Sequence, residues 1–171
     1  MQLNTLLLAA LASSISTASY NIKLYEHRNC LFTVGKQCSG VDARTCCGDG
    51  EKYKSAKFEE QGASSSDDQL KLYTDSNCDG FAVQQHTGTC CLSHDEKEVL
   101  GAQVFVVINA RDEKTAGPTK MAKPDEVFME DRRFRYTLKR DSTQGKAYEN
   151  LTRIEDQVEH LRTFGKRERM E

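Results

Sequence analysis

Beyond its amino-terminal region the chain has no apolar run approaching the roughly 20 residues that span a bilayer, which excludes a transmembrane helix from the expectation. It also lacks a bias of charge. Lys and Arg number 24 against 26 Asp and Glu, and a net charge of −2 argues against broad attraction to nucleic acid or to anionic membranes. The Cys46-Cys47 and Cys90-Cys91 doublets do not offer the CxxC spacing that lets two thiolates share one zinc ion. No GxSxG elbow exposes a serine nucleophile, and the serines cluster instead in a loop-like run, Ser64 to Ser66. Only two prolines are present, Pro118 and Pro124, both inside TAGPTKMAKPDE, which reads as a linker over residues 112–125.

The opening residues MQLNTLLLAALASSISTASY hold an unbroken apolar run, Leu6 to Ala12, then small residues with Ser16 and Ala18 at −3 and −1. The pattern is that of a secretory signal peptide over residues 1–18, cut after Ala18. A secreted, extracellular chain with seven cysteines then reads as a disulfide framework built from Cys30, Cys38, Cys46, Cys47, Cys78, Cys90 and Cys91. Because seven is odd, one thiol must stay free, be capped or pair with another chain, so a disulfide-linked homodimer is an open alternative.

The cysteines fall in a repeat. KLYEHRNC at residues 23–30 recurs as KLYTDSNC at 71–78, and each copy is followed by a polar middle, a Thr-Cys-Cys triplet (45–47 and 89–91) and a closing apolar segment. Ile22 and Leu24, then Leu70 and Leu72, alternate with period two, which favours strands. The β-branched and aromatic run Val104 to Ile108 suits a buried strand. A β domain over 19–111, in two units at 20–62 and 68–108 joined by the polar EEQGASSSDDQ, is therefore expected, mainly β and antiparallel, of Greek-key type repeated twice.

These residues resemble the βγ-crystallin Greek-key motif. In that family a tyrosine opens a folded hairpin, an aromatic follows five residues on, and a glycine two beyond that. Tyr25, Cys30 and Phe32 stand there in the first unit, Tyr73, Cys78 and Gly80 in the second, with SAKF and GAQV at the closing positions. Glycine suits a hairpin bend that needs positive φ. The chain is also similar to small cysteine-rich secreted proteins of filamentous fungi, in which an LYTDxNCxG opening recurs. If equivalent cysteines do equivalent jobs, Cys30 pairs with Cys46 or Cys47 and Cys78 with Cys90 or Cys91. Cys38 and the two remaining doublet thiols would then give one further bridge and one unpaired thiol.

The last third is different. More than half of the charged residues lie in the final 60 positions, which contain no cysteine, so a charged tail over 126–171 is expected outside the stapled domain. Phe134, Tyr136 and Leu138 alternate as in a short strand. Ala147, Leu151, Ile154, Val158 and Leu161 fall on one face of an amphipathic helix over about 146–164, with Gly165 at its cap. Asn150 heads an Asn-Leu-Thr glycosylation sequon, and Lys139-Arg140 forms a dibasic processing signal.

Chemistry is sparse. Histidines occur at 27, 86, 94 and 160, but Glu26 and His27 as strand neighbours would face opposite ways and could not converge on one atom. The stretches GDGEKYKSAKF and HDEKEVLGAQV lack the paired acids and hydroxyls of a calcium loop, while Asp49 and Asp95 are their nearest ligands. No catalytic residue, metal or cofactor is expected. The expectation is a non-enzymatic binding protein with a protein or cell-surface ligand, as a fungal effector at the host interface. Other readings are a crystallin-like structural or stress-protective surface protein, a toxin-like protein, or a precursor releasing a peptide from Asp141 onward.

Overall fold

The computed structural model describes residues 18–30, 34–62, 67–79, 82–87, 91–93, 97–106, 118 and 120–170. The protein is mainly β. The first repeat supplies β1 (Ser19–Tyr25), β2 (Val34–Asp42), β3 (Thr45–Cys47) and β4 (Ser55–Gln61). The second supplies β5 (Gln69–Tyr73), β6 (Gln84–Thr87), β7 (Leu92–Ser93) and β8 (Gly101–Phe105). Beyond them come β9 (Lys120–Ala122), β10 (Glu126–Glu130), β11 (Phe134–Lys139), helices α1 (Thr143–Glu149) and α2 (Ile154–Phe164), and β12 (Lys166–Arg169).

Period-two alternation decides what each strand buries. Tyr20, Ile22 and Leu24 of β1 and Leu70 and Leu72 of β5 meet between the sheets with Phe58, Tyr53, Val99 and Val104. Each large apolar side chain fully buried there contributes roughly 1.5–3 kcal/mol. The two repeats use their strands in the same order. One sheet contains β2-β1-β4-β7 and the other β6-β5-β8-β3, so the third strand of each repeat lies beside the fourth strand of the other.

That exchange overturns the expected bridges. Cys30 is bonded to Cys91 rather than to Cys46 or Cys47, and Cys78 to Cys46 rather than to Cys90 or Cys91. The Thr-Cys-Cys strand carries its cysteine into the neighbouring sheet, so the bridge crosses between repeats. Cys38 takes Cys47. Adjacent residues on a strand point to opposite faces, which lets Cys47 enter the inter-sheet core while Cys46 joins Tyr73 and Cys78 on the outer side. Six cysteines are thus paired, which leaves Cys90, outside the described residues, with no cysteine partner in its own chain. The repeat's final cysteine is also where the backbone turns: Cys30 (φ 49°) and Cys78 (φ 54°) are both left-handed. Phe32 and Gly80, where the resemblance looked for the bend, lie outside the described residues.

The expected separate tail is instead part of the larger sheet. β10 pairs with β2, β11 with β10 and β12 with β11, giving the order β12-β11-β10-β2-β1-β4-β7. The expected linker includes a strand, β9, which runs parallel to β3. The single expected helix is two, broken at 150–153. Its stripe is correspondingly thinner: Leu161 is buried and Val158 half-buried with Tyr148, Val127, Met129 and Leu138, whereas Ala147 and Ile154 are exposed. Gly165 does cap α2, donating its N–H to the Leu161 carbonyl.

At Gly35 of β2 the two halves of the sheet meet closely. A Cβ there would stand 2.5 Å from the Leu24 carbonyl oxygen and 2.7 Å from the Phe128 ring, which lies across the strand edge-on to Tyr25 at 5.1 Å. Gly35→Ala must displace that ring or the strand, and is expected to lower stability by about 1–3 kcal/mol in a urea titration. A change within experimental error would mean that Phe128 is not locked over Gly35.

A cleft at the seam between two cores

One face of the seven-stranded sheet is covered twice. The second sheet packs on its β1-β4 side and the helices on its β10-β11 side, giving two apolar clusters. In β2, Val34 belongs to the helix-side cluster and Cys38 to the inter-sheet cluster. Between them, on the same face, stands Lys36. A cation at that position needs partners, and the turn after β3 provides them. Asp49 Oδ2 lies 3.4 Å from Lys36 Nζ and 3.3 Å from an Arg140 guanidinium nitrogen, while its Oδ1 accepts from the Tyr53 hydroxyl at 2.9 Å. Burial opposes ionisation of Asp49. Lys36, the Tyr53 hydroxyl, the Glu51 N–H and Arg140 outweigh it and hold the carboxyl below the usual carboxylate range.

Lys36 also pairs with Glu51, and Arg140 donates to Glu149 at 2.5 Å and to the Pro124 carbonyl at 2.9 Å. Above this cluster opens a cleft of about 350 Å³, lined by Glu26, Gly35, Lys36, Glu51, Arg140, Tyr148, Glu149 and Gln157. Tyr148 is 5% exposed. Burial, then the charges of Glu26 and Glu51, push its phenol above the ordinary range, so it stays protonated and is no base at neutral pH.

The opposite, outer face of the large sheet carries a second charged cluster of another kind. Lys23, fully buried, lies 2.6 Å from both Glu59 and Glu130. Arg135 bonds the same two carboxylates at 2.5 and 2.9 Å, and Lys57 and the Tyr25 hydroxyl reach Glu130 at 3.0 and 3.1 Å. Three cations share two carboxylates here, each cation bonded to at least one of them, so this cluster fastens β4, β1, β10 and β11 together. Burial lowers the Lys23 ammonium, with Glu130 and Glu59 recovering part of the shift. Burial opposes ionisation of Glu130 as well, but Lys23, Lys57 and Arg135 bring its carboxyl down to about 2.

The residues singled out in the sequence are scattered around these features. Arg140, one half of the dibasic pair, forms a wall of the cleft. Lys139 ends β11 with ion pairs to Asp125 and Glu126. Asn150 is exposed at the end of α1, its amide donating to the Lys146 carbonyl, and Ala18 immediately precedes β1. The histidines do not gather: His27 and His86 are exposed, and His160, half-buried on α2, contacts the Gln144 carbonyl. His94 and Asp95 lie outside the described residues, while Asp49 is engaged by protein cations. Among the described residues no three His, Cys, Asp or Glu side chains form a metal-binding group. Sequence reasoning missed the cleft because its lining comes from six separate places along the chain. Lys36 was its one visible signal, a charge at an inward parity position of β2.

A family profile, ARB_05566_N, an N-terminal domain, matches residues 21–125, more than half of the chain. The chain belongs to this family. The ARB_05566_N domain spans β1 to β9, so β10 to β12 and both helices lie beyond it, and the cleft is built across the junction. Glu26, Lys36 and Glu51 come from the domain; Arg140, Tyr148, Glu149 and Gln157 come from the carboxy-terminal strands and helices. No curated protein matches the chain, and no solved structure does.

The outer cluster predicts acid sensitivity. Glu130 titrates lower in the folded chain than its usual 4.5, so its stabilising contribution is complete above about 4.5 and is lost as pH falls toward 2. Urea titrations should show a loss of about 3 kcal/mol across that window from this residue. Glu130→Gln should be destabilised by a similar amount at pH 7 and show a flatter acid limb. An unchanged acid limb in the variant would remove Glu130 from this role.

Proposed function

We propose that the protein is a secreted, disulfide-stapled binding protein that acts at the interface between a fungus and its host, and that the cleft between the ARB_05566_N domain and the helices is its binding site. The cleft carries the reading: it is a concave polar space above an ion-paired cluster, and its tyrosine remains a protonated phenol, suited to recognition. Three disulfides support secretion, since such bonds form and persist in oxidising compartments. We further infer that the two repeats are Greek-key units of βγ-crystallin type. The matching strand orders and the exchanged third strands favour this. The precursor reading gains no support, because release of residues from Asp141 onward would uncover Leu138, Val127 and Met129 by removing Tyr148 and Leu161.

Gln157, half-buried on α2, lines the cleft without belonging to either apolar cluster. In a strain carrying Gln157→Trp, the larger ring should fill the cleft while the protein is secreted in the normal amount. Colonisation by that strain is expected to fall to the level of a strain lacking the gene. Wild-type colonisation by the variant would refute the cleft as the working site, and equal colonisation by the deletion strain would refute the host-directed role.

A further inference from the structure

The cleft is charged in one direction once its internal pairs are counted. Lys36 is held by Asp49 and Glu51, and Arg140 by Asp49 and Glu149. Two cations thus face four carboxylates, because Glu26 lines the space as well and has no ion pair among the described residues. At the floor, Tyr148 is more than nine-tenths buried and its hydroxyl makes no hydrogen bond among the described residues, although the side chain lines the cavity. A hydroxyl free at the cavity wall accepts a hydrogen bond from a ligand N–H.

We propose, resting on the cleft being the binding site, that its ligand is an organic cation, an alkyl guanidinium or ammonium group, which pairs with Glu26 and donates to the Tyr148 hydroxyl. About 350 Å³ accommodates an arginine-like side chain or a small free amine. Arg140 and Lys36 do not repel it decisively, because each is already neutralised at short range. An anion would have to displace Glu51 or Glu149 from those cations and would meet Glu26 unpaired.

Butylguanidinium chloride, titrated into the intact secreted chain and followed by amide NMR, should shift residues around the cleft saturably. Butylurea, of nearly the same shape without the charge, should not. Glu26→Gln changes an exposed side chain and should weaken binding about tenfold, the scale of a lost charge-assisted hydrogen bond. Tyr148→Phe keeps the ring and should weaken it only a few-fold. A blocked peptide with one central arginine separates the sources of such a cation. Tighter binding than butylguanidinium assigns the group to a protein partner, weaker binding to a free small molecule, and both agree with the proposal. No saturable shift, equal shifts with butylurea, or undiminished affinity in Glu26→Gln overturns it. Saturable binding of sulfate in place of the cation would overturn the charge assignment while leaving the cleft as a binding site.

Discussion

The third strand of each repeat leaves its own sheet and pairs with the fourth strand of the other repeat, β3 with β8 and β7 with β4. Neither repeat can complete a sheet alone, because each lends one strand and borrows one. The two crossed bridges fix this exchange covalently. They close sequence separations of 61 and 32 residues, against 9 for Cys38–Cys47, and constrain the unfolded chain correspondingly more, on the order of 4 kcal/mol each against 2–3. Left-handed backbone at Cys30 and Cys78 is unfavourable for a residue with a Cβ, by roughly 1–2 kcal/mol, and the bridge at each position holds it there.

With the two repeats locked face to face, β2 becomes an edge on which more chain can be laid. β10 takes that edge, and β11 and β12 extend it until the sheet is wider than the one opposing it. The uncovered part needs its own cover, which the helices provide through Tyr148, Val158 and Leu161. Two separate covers on one face leave a seam, and the seam is polar because Lys36 stands in it. The cleft is thus a consequence of joining a second covering layer to a double-repeat body.

Much of the body was legible in the sequence. Ile22, Leu24, Leu70 and Leu72 announced their strands by alternation, and the duplicated KLY openings do become equivalent strands, β1 and β5. Phe134, Tyr136 and Leu138 likewise marked β11. Bridge partners were not legible, since a local repeat suggests local pairing and nothing in Thr-Cys-Cys tells which sheet the strand will join. β10 and β12 were hidden for a different reason. Glu126, Glu130 and the Lys-Arg-Glu-Arg of β12 look like solvated charge, yet Glu130 is neutralised by Lys23 and Arg135, and Lys166–Arg169 forms an exposed edge strand. Tyr148 lay off the helical stripe read from spacing, because the break at 150–153 resets the phase. Of the cleft, the sequence marks only Glu26, as half of a rejected acid–base pair, and Arg140, for cleavage.

Peptide mapping of the unreduced secreted protein by mass spectrometry tests the strand exchange most directly. Cross-linked peptides joining Cys30 to Cys91 and Cys46 to Cys78 are the predicted result, with Cys38 joined to Cys47. Bridges confined within each repeat, Cys30 to the first doublet and Cys78 to the second, would contradict the exchange and with it the derivation of the seam.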